Sequence, residues 1–442
     1  MKKRAIAGLL CCVMMLGLCA CGQETAKNGG QTEGAAPEPT PASEETSLDP
    51  SYETTIYVCG SWGNFEALDA AAQIFNEQYP NIQVVYEQLE NYTSDLGNRF
   101  VSGENIDIYL TDWLLSNDER YSSYWENAED LTDVLDLSAI PEAYAETGLR
   151  DGMQFAVPIY NHSYGIMVNE DLLAAHDLAV PSTYEELLNC CEVLKAAGIA
   201  PVLKADMDYI NQIYFNHVYQ AVMTADDPEA AAQALLAGED STGKVANIVS
   251  HMDNFHSSDY IHPDSEGLPD TYDSVIMRFF EGDIAFVPFV SSSFSGTKKR
   301  EAKSEAFTAN PFSYSFIPAP GTDGYEHVVE QLGTVYMCAY NGVDEEKMPY
   351  VNAFLQFLVD DAGSEALARV KNMATSNARV GDAAFPYLNS LPEDQILYAG
   401  MSAKGDTMLK VNQLLRAASI YYEVGISAED LLAVAIGKVN EK

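Results

Sequence analysis

Two of the three tryptophans follow a predicted β-strand directly, and each stands within two residues of a polar side chain. Trp62 is paired with Asn64 after the first predicted strand, and Trp113 follows Asp112 after the third. In an open parallel sheet, ligands bind outside the carboxyl ends of the strands. An indole plate covers the apolar C–H face of a sugar ring, while amides and carboxylates bond its hydroxyl rim. We therefore predict that these four residues bind a sugar; the alternative is that each indole packs under its own loop.

An alternation of strands and helices positions these residues. Strands are predicted at Thr54–Val58, Ile82–Tyr86 and Ile106–Leu110, with an amphipathic helix between each pair. This order is typical of an α/β fold with a parallel sheet. A mostly helical region follows from Asp206 to Phe255, and another strand is predicted at Ile284–Phe289.

The segment between these regions contains the most distinctive pattern. A short strand at Phe155–Pro158 and a second at Gly165–Asn169 are predicted to flank a polar, aromatic turn at Tyr160–Tyr164. Ser182 and Glu185 have capping-box spacing, which predicts the start of a longer helix.

The motifs in this segment resemble those of a known family. The run "VP-x-x-x-x-x-YG-I-x-x-N-x-DL" begins at Val157, and "LKAAGI-x-P" ends the following helix at Leu194–Pro201. Downstream, "F-x-x-GDIAF" spans Phe279–Phe286, and a strand with prolines covers Tyr314–Gly321. In this order they resemble the family 1 extracellular solute-binding proteins, the ligand-capturing subunits of ATP-driven carbohydrate importers.

The resemblance implies a two-lobed, periplasmic-binding-protein-like α/β fold. Each lobe is expected to be a mostly parallel sheet flanked by helices and discontinuous in sequence. Residues 53–158 and 288–342 are assigned to lobe 1, and residues 159–287 and 343–442 to lobe 2. The chain is expected to cross between the lobes near Pro158, Phe286–Phe289 and Asn341–Asp344.

The resemblance also implies further ligand-binding residues. After the first crossing these are Tyr160, Asn161 and His162, although a lone histidine is often structural. After the second crossing, the small polar and aromatic residues are Ser291, Ser292 and Phe294. Asn377 and Arg379 match a late loop that faces the cleft in relatives. Whether Tyr92, Trp125 or Tyr209 line the cleft is left open, with Trp125 favoured as structural.

The N-terminus has the pattern of an export signal. Met1–Arg4 is basic, Ala5–Leu18 is apolar, and Leu18–Cys21 resembles a lipobox, so residues 1–20 are predicted to be a lipoprotein signal peptide and Cys21 to carry lipid. Residues 21–52 contain almost no large apolar side chain, which predicts a disordered tether. The expected location is the extracellular face of the cell membrane.

The composition and the spacing of cysteines and histidines argue against several classes of function. The formal net charge of −42, from 66 acidic and 24 basic residues, disfavours nucleic-acid binding. Cys59, Cys190, Cys191 and Cys338 have no zinc-like spacing and are expected to be buried free thiols. His251, His256 and His262 fit no metal signature, so neither a metal nor a cofactor is expected.

No catalytic motif is present, and the protein is not expected to be an enzyme. The resemblance predicts a monomer that captures a carbohydrate by lobe closure and delivers it to the transmembrane subunits of an ABC permease. The alternatives are the same fold with a peptide or polyamine, a secreted glycan-active enzyme using two of the many carboxylates, or an adhesive surface lipoprotein.

Overall fold

The structure, a computed structural model, describes residues 48–111, 122–204, 209–256, 259–269, 271–294, 296–321, 328–371, 374–380, 395–399 and 406–440. All structural statements below refer to these residues. Cys21, Asp112 and Trp113 lie outside them.

A mixed β-sheet runs through the described part of the chain. Its strands are β1 (Thr54–Gly60), β2 (Ile82–Gln88), β3 (Ile108–Thr111), β6 (Val157–Asn169), β7 (Phe286–Val290), β8 (Tyr314–Pro318), β9 (Val328–Ala339) and β10 (Ile396–Ala399), whereas β4 (Leu149–Arg150) and β5 (Met153–Gln154) form a separate hairpin. The order is β2-β1-β3-β9-β6-β7, with β8 beside β6 and β10 beside β9. β1 pairs parallel with β2 and β3, as expected.

The pairing around β6 is antiparallel rather than parallel. β7, β8 and β9 all run antiparallel to β6. Among the described residues of this half, parallel pairing is limited to the β9–β10 ladder and to the bridges of Val202 with Ile261 and Phe286. The fold class is α/β as predicted, but the sheet is more mixed than expected.

The predicted turn at Tyr160–Tyr164 is wrong, because these residues are the middle of the single 13-residue strand β6. The first half of β6 pairs with β9, and its second half pairs with β7 and β8. Register shifts at Pro158/Tyr160 and Tyr160/His162 mark bulges, which change the direction of a strand without ending it. The polar residues therefore interrupt the hydrophobic pattern but not the strand.

Seventeen helices are present in the described residues. The first nine are α1 (Glu66–Gln78), α2 (Tyr92–Ser102), α3 (Ser122–Glu126), α4 (Glu142–Ala145), α5 (Glu170–Ala174), α6 (Tyr184–Ala196), α7 (Tyr209–Met223), α8 (Pro228–Leu236) and α9 (Val245–Phe255). The others are α10 (Tyr272–Phe279), α11 (Ser291–Phe294), α12 (Thr297–Glu301), α13 (Glu305–Ala309), α14 (Met348–Val359), α15 (Asp361–Lys371), α16 (Asp406–Tyr421) and α17 (Ala428–Asn440).

The start of α6 differs by one residue from the prediction. Thr183, not Ser182, is the N-cap, and its hydroxyl accepts from the Glu186 amide. The Glu186 carboxylate in turn accepts from the Ser182 amide and hydroxyl at 2.7 and 2.8 Å. The reciprocal capping pattern is present, but shifted by one position.

Separate hydrophobic cores lie at the two ends of β6. Core A packs α1, α14 and α15 against the first half of β6 and includes Ile56, Phe75, Val157 and Phe354. Core B packs α6, α7, α9, α16 and α17 against the second half and includes Ile166, Val168, Phe286 and Leu414. A third, aromatic core lies around β7 and β8 and includes Phe279, Phe289, Phe294 and Phe316.

Two contacts lie near predicted lobe boundaries, but they do not define where one lobe ends and the other begins. Asn341–Asp344 lead into α14, whose side chains Val351, Phe354 and Leu355 lie in core A with α1. Tyr52, just before the predicted start of lobe 1, stacks on Tyr350 of α14 with ring centroids 4.3 Å apart. The lobe boundaries stay a prediction.

The four cysteines of the described residues, Cys59, Cys190, Cys191 and Cys338, are buried free thiols, as predicted. Burial raises the thiol pKa at each, to about 12 for Cys59 and about 11 for Cys190. Such thiols are poor nucleophiles.

Candidate functional site

The middle of β6 lies between core A and core B and carries polar side chains where its two ends are apolar. We define the polar band as the six residues that meet there: Asn161, His162, Ser163, Ser291, Thr375 and Ser376. Five of them are buried, and His162 is partly exposed. This band is the candidate site.

Backbone hydrogen bonds bring the band together from three parts of the sequence. The Ser163 amide donates to the Ser291 hydroxyl at 3.0 Å, which ties β6 to α11. The Asn161 amide donates to the Ala374 carbonyl at 3.2 Å, and the Ser376 amide to the Ile159 carbonyl at 3.1 Å. The segment 374–376 therefore lies along β6.

Several polar atoms of the band have no hydrogen-bond partner within the described part of the chain. They are Asn161 Oδ1, Ser163 Oγ, Thr375 Oγ1 and Ser376 Oγ. The four residues are 5, 1, 8 and 2% exposed. A buried polar group without a partner costs about 1–3 kcal/mol. Such a concentration is unusual in a native protein and indicates a place where a ligand or water completes the bonding.

His162 adds an uncharged imidazole to the band. Burial lowers the pKa of His162 to about 4, because desolvation disfavours the cation. Its ring contacts the ring of Tyr164 edge-on, with centroids 5.3 Å apart. A neutral imidazole has one donor and one acceptor nitrogen, which suits a hydroxyl group. The six side chains of the band are thus uncharged at neutral pH.

Trp62 lies on the core A side of the band and is partly buried. Its ring stacks near Tyr160, with centroids 6.1 Å apart, and lies 4.9 Å from the ring of Phe65. Its carbonyl accepts from the Tyr86 hydroxyl at 2.9 Å. The indole therefore packs against Phe65 and Tyr160, while part of its surface stays exposed.

Asn64 is exposed and connects to a charged pair. Its amide donates to the Glu66 carboxylate at 3.2 Å. The same carboxylate forms an ion pair with Lys299 of α12. Whether Asn64 contacts a ligand stays a prediction.

Tyr160 is the residue of the predicted site that the structure buries most deeply. Its side chain is fully buried in core A, and its hydroxyl donates to the Leu367 carbonyl at 3.2 Å. Burial raises the pKa of this hydroxyl far above its ordinary value. The Tyr160 ring packs against the Trp62 ring. Direct contact between Tyr160 and a ligand remains a prediction.

The other predicted residues are distributed around the band. Ser291 belongs to it, Ser292 is partly buried, and Phe294 lies in the aromatic core, 5.5 Å from the Phe316 ring. Asn377 is buried two residues after Thr375, and its amide donates to the Val359 carbonyl at 2.9 Å. Arg379 is exposed and pairs with Asp361 at 2.9 Å.

The structure shows the surroundings of the three aromatic residues for which the sequence left open whether they line the cleft. Trp125 is buried in the core that includes Cys59 and Tyr109, in agreement with the structural interpretation. The Tyr92 hydroxyl donates to the Leu110 carbonyl at the end of β3. Tyr209 is buried, with its ring 5.9 Å from that of Tyr164.

Sequence reasoning missed Ser163, Thr375 and Ser376. Ser163 had a usable signal, because it continues the polar interruption of an apolar strand begun by Asn161 and His162. For Thr375 and Ser376 the sequence offered only the resemblance of the following residues, Asn377 and Arg379, to a cleft-facing loop; the pairing of this segment with β6 is a tertiary contact.

Two other site types receive no support. The apolar side chains of Ile166, Leu187, Tyr214 and Phe255 in core B pack without leaving room for a water molecule, so this region offers no space to a polar ligand. Among the described residues, no cluster of three or more metal-ligating side chains was found.

Among the described residues, no helix combines the length and the apolar character that crossing a bilayer requires.

Comparison with known proteins places this geometry in context. The family model for bacterial extracellular solute-binding proteins matches residues 60–365. The apo form of RafE from Streptococcus pneumoniae is 19% identical, with a TM-score of 0.65 over 87% of this chain and 98% of that one. RafE has also been solved in complex with raffinose.

Two further solved structures are similar. The sugar-binding protein MalE from Xanthomonas citri is 15% identical, with a TM-score of 0.63 over 88% of this chain and 97% of that one. Maltose-bound MalE3 of T. maritima is 16% identical, with a TM-score of 0.60 over 88% and 100%. These likenesses confirm the two-lobed, periplasmic-binding-protein-like fold class. A sequence comparison with curated proteins finds no match.

Proposed function

The chain belongs to the bacterial extracellular solute-binding proteins, and we propose that it captures an uncharged carbohydrate between its two lobes. The sugar lies against the polar band, with the Trp62 indole covering an apolar ring face. The protein acts as a receptor without catalytic activity.

The proposal rests on the polar atoms of the band that have no hydrogen-bond partner within the described residues. Asn161 Oδ1 accepts a hydrogen bond, and the hydroxyls of Ser163, Thr375 and Ser376 both donate and accept. A polyol offers the same mixed donors and acceptors at close spacing. An anion would need cationic or strongly donating groups, and a polyamine would need carboxylates. The uncharged band favours a neutral ligand over both.

Lobe closure completes the proposed mechanism. A ligand that lies against the middle of β6 and contacts both lobes binds the closed arrangement better than the open one and shifts the population toward it. The closed monomer is then recognised by the transmembrane subunits of an ABC permease. A lipid on Cys21 holds the protein at the extracellular face of the membrane. In the structures named above, RafE is bound to raffinose and MalE3 to maltose, which supports the ligand class.

A thermal-shift screen of the full chain in detergent tests the ligand class. The probes are raffinose, maltose, chitotriose, a tripeptide and spermidine. One of the saccharides is expected to raise the melting temperature, because a ligand that binds only the folded state stabilises it by mass action. A shift with spermidine or the tripeptide alone would contradict the proposal. Release of shorter products from the saccharides, abolished by one Asp or Glu substitution, would instead identify a glycan-active enzyme.

A further inference from the structure

Asn161 has a second contact that determines how it faces the band. Its Nδ2 lies 2.5 Å from the hydroxyl oxygen of Tyr144, a residue of α4. The other end of the same amide, Oδ1, is one of the unpartnered atoms of the band. The two ends of an asparagine amide have similar shape and opposite hydrogen-bonding character. Which end faces the band therefore decides whether it offers an acceptor or a donor.

The position of Tyr144 is fixed by its packing, so it can determine which end of the Asn161 amide faces the band. It is 4% exposed and belongs to core A. Its ring packs edge-on against Tyr398 of β10, with centroids 4.9 Å apart. The Tyr398 carbonyl accepts from the hydroxyl of Tyr219, a core B residue, at 2.8 Å. Packing in core A and against Tyr398 therefore holds the Tyr144 ring, and with it the hydroxyl, in place.

The backbone of Asn161 is fixed as well. Its amide nitrogen donates to Ala374, and the neighbouring Tyr160 forms a bridge with Thr375. With the backbone and Tyr144 both held, rotation of the terminal amide is the freedom that remains to the side chain. Donation from Nδ2 to Tyr144 removes that freedom and leaves Oδ1 in the band.

We infer that Tyr144 is a positioning residue: its hydroxyl accepts from the Asn161 amide and thereby presents Asn161 Oδ1 as an acceptor for a hydroxyl group of the ligand. This inference rests on the proposed function for the nature of the ligand. The orientation of the amide does not depend on it. Tyr144 therefore acts on specificity without touching the ligand.

A first experiment uses no ligand. In ¹⁵N-labelled protein, the side-chain amide signals of Asn161 are identified by their loss in Asn161→Ala. Tyr144→Phe is expected to shift both signals and to speed their exchange with water, because the acceptor is gone. Tyr350→Phe is the matched control, since it removes another buried hydroxyl of core A, bonded to the Asp49 carbonyl at 3.1 Å. Unchanged Asn161 signals in Tyr144→Phe would overturn the inference, whatever the ligand.

A second experiment measures affinity by calorimetry for raffinose, maltose and chitotriose. Tyr144→Phe is expected to raise the Kd of the saccharide that binds by about tenfold, the usual scale for one hydrogen bond. In the Asn161→Ala background the same substitution should have no further effect. An equal loss in both backgrounds would show a merely structural role. If no saccharide binds the unaltered protein, the carbohydrate proposal fails, while the amide signals still decide the orientation.

Discussion

The ammonium of Lys299 pairs with the carboxylate of Glu66, although 233 residues separate them in the sequence. Glu66 begins α1, which packs in core A, whereas Lys299 lies on α12, beside the aromatic core. The pair therefore links core A to the aromatic core at the surface. Asn64, a predicted ligand residue, donates to the same carboxylate.

Lys299→Glu is expected to favour a more open arrangement, because it replaces attraction between α1 of core A and α12 beside the aromatic core by repulsion. Both side chains are about half exposed, and exposed ion pairs contribute about 0.2–1 kcal/mol, so saccharide affinity should fall by up to about fivefold. X-ray scattering should show a larger radius of gyration, and added salt should reduce the difference.

The neighbouring Lys298 provides the matched control, since it pairs with Glu301 within the same helix at 2.7 Å. Lys298→Glu should leave the radius of gyration unchanged, and the exchanged pair Glu66→Lys with Lys299→Glu should restore it. Equal effects of the two lysine substitutions would show that only net charge matters.

Trp62→Ala is expected to weaken saccharide binding more than it weakens the fold. The indole is partly exposed beside the polar band, so its removal takes away the plate for a sugar ring. Phe65→Ala removes a ring that is 2% exposed and should cost about 3–5 kcal/mol of unfolding free energy. Calorimetry and thermal unfolding measure both effects. A melting temperature as low as that of Phe65→Ala, with unchanged Kd, would place Trp62 in the core instead.

Acid should destabilise the protein through His162. Its pKa is about 4 in the folded state against an ordinary value of 6.5, so between these values the unfolded chain binds a proton that the folded chain does not. The unfolding free energy should therefore fall as the pH is lowered from 6.5 to 4, by about 3 kcal/mol for a shift of this size.

Two variants separate the contributions to this acid sensitivity. His162→Gln and His217→Gln should each remove part of the loss. His217 provides a second share, because burial lowers its pKa to about 4 as well. Chemical denaturation at several pH values measures the slope, and an unaltered slope in both variants would contradict the assignment.

Gly165→Ala is expected to destabilise the sheet. A Cβ at this position would lie 2.3 Å from the Ile317 carbonyl oxygen and 2.7 Å from the Phe316 ring, where β8 approaches β6. Overpacking of this kind costs about 1–3 kcal/mol. Gly437→Ala in α17 is the control, since its Cβ would meet nothing within 4 Å, and alanine should stabilise the helix by about 0.5–1 kcal/mol. A thermal-unfolding comparison in which both variants behave alike would contradict this explanation.

The amino-acid sequence was sufficient for the class of the fold and for most of its elements. The strand–helix alternation from Thr54 to Leu110 follows from hydrophobic periodicity, because the helices bury one face against a core. The family resemblance was likewise carried by local motifs, whose order along the chain is a property of the sequence alone.

Tertiary structure decided what the polar residues of β6 do. Locally, Tyr160–Tyr164 reads as a turn, because polar residues break an apolar run. Pairing with β9 on one half and β7 and β8 on the other keeps the strand continuous, which local propensity does not report. The same pairing buries Tyr160 and aligns Thr375 with it, so the candidate site depends on contacts between residues more than 200 positions apart.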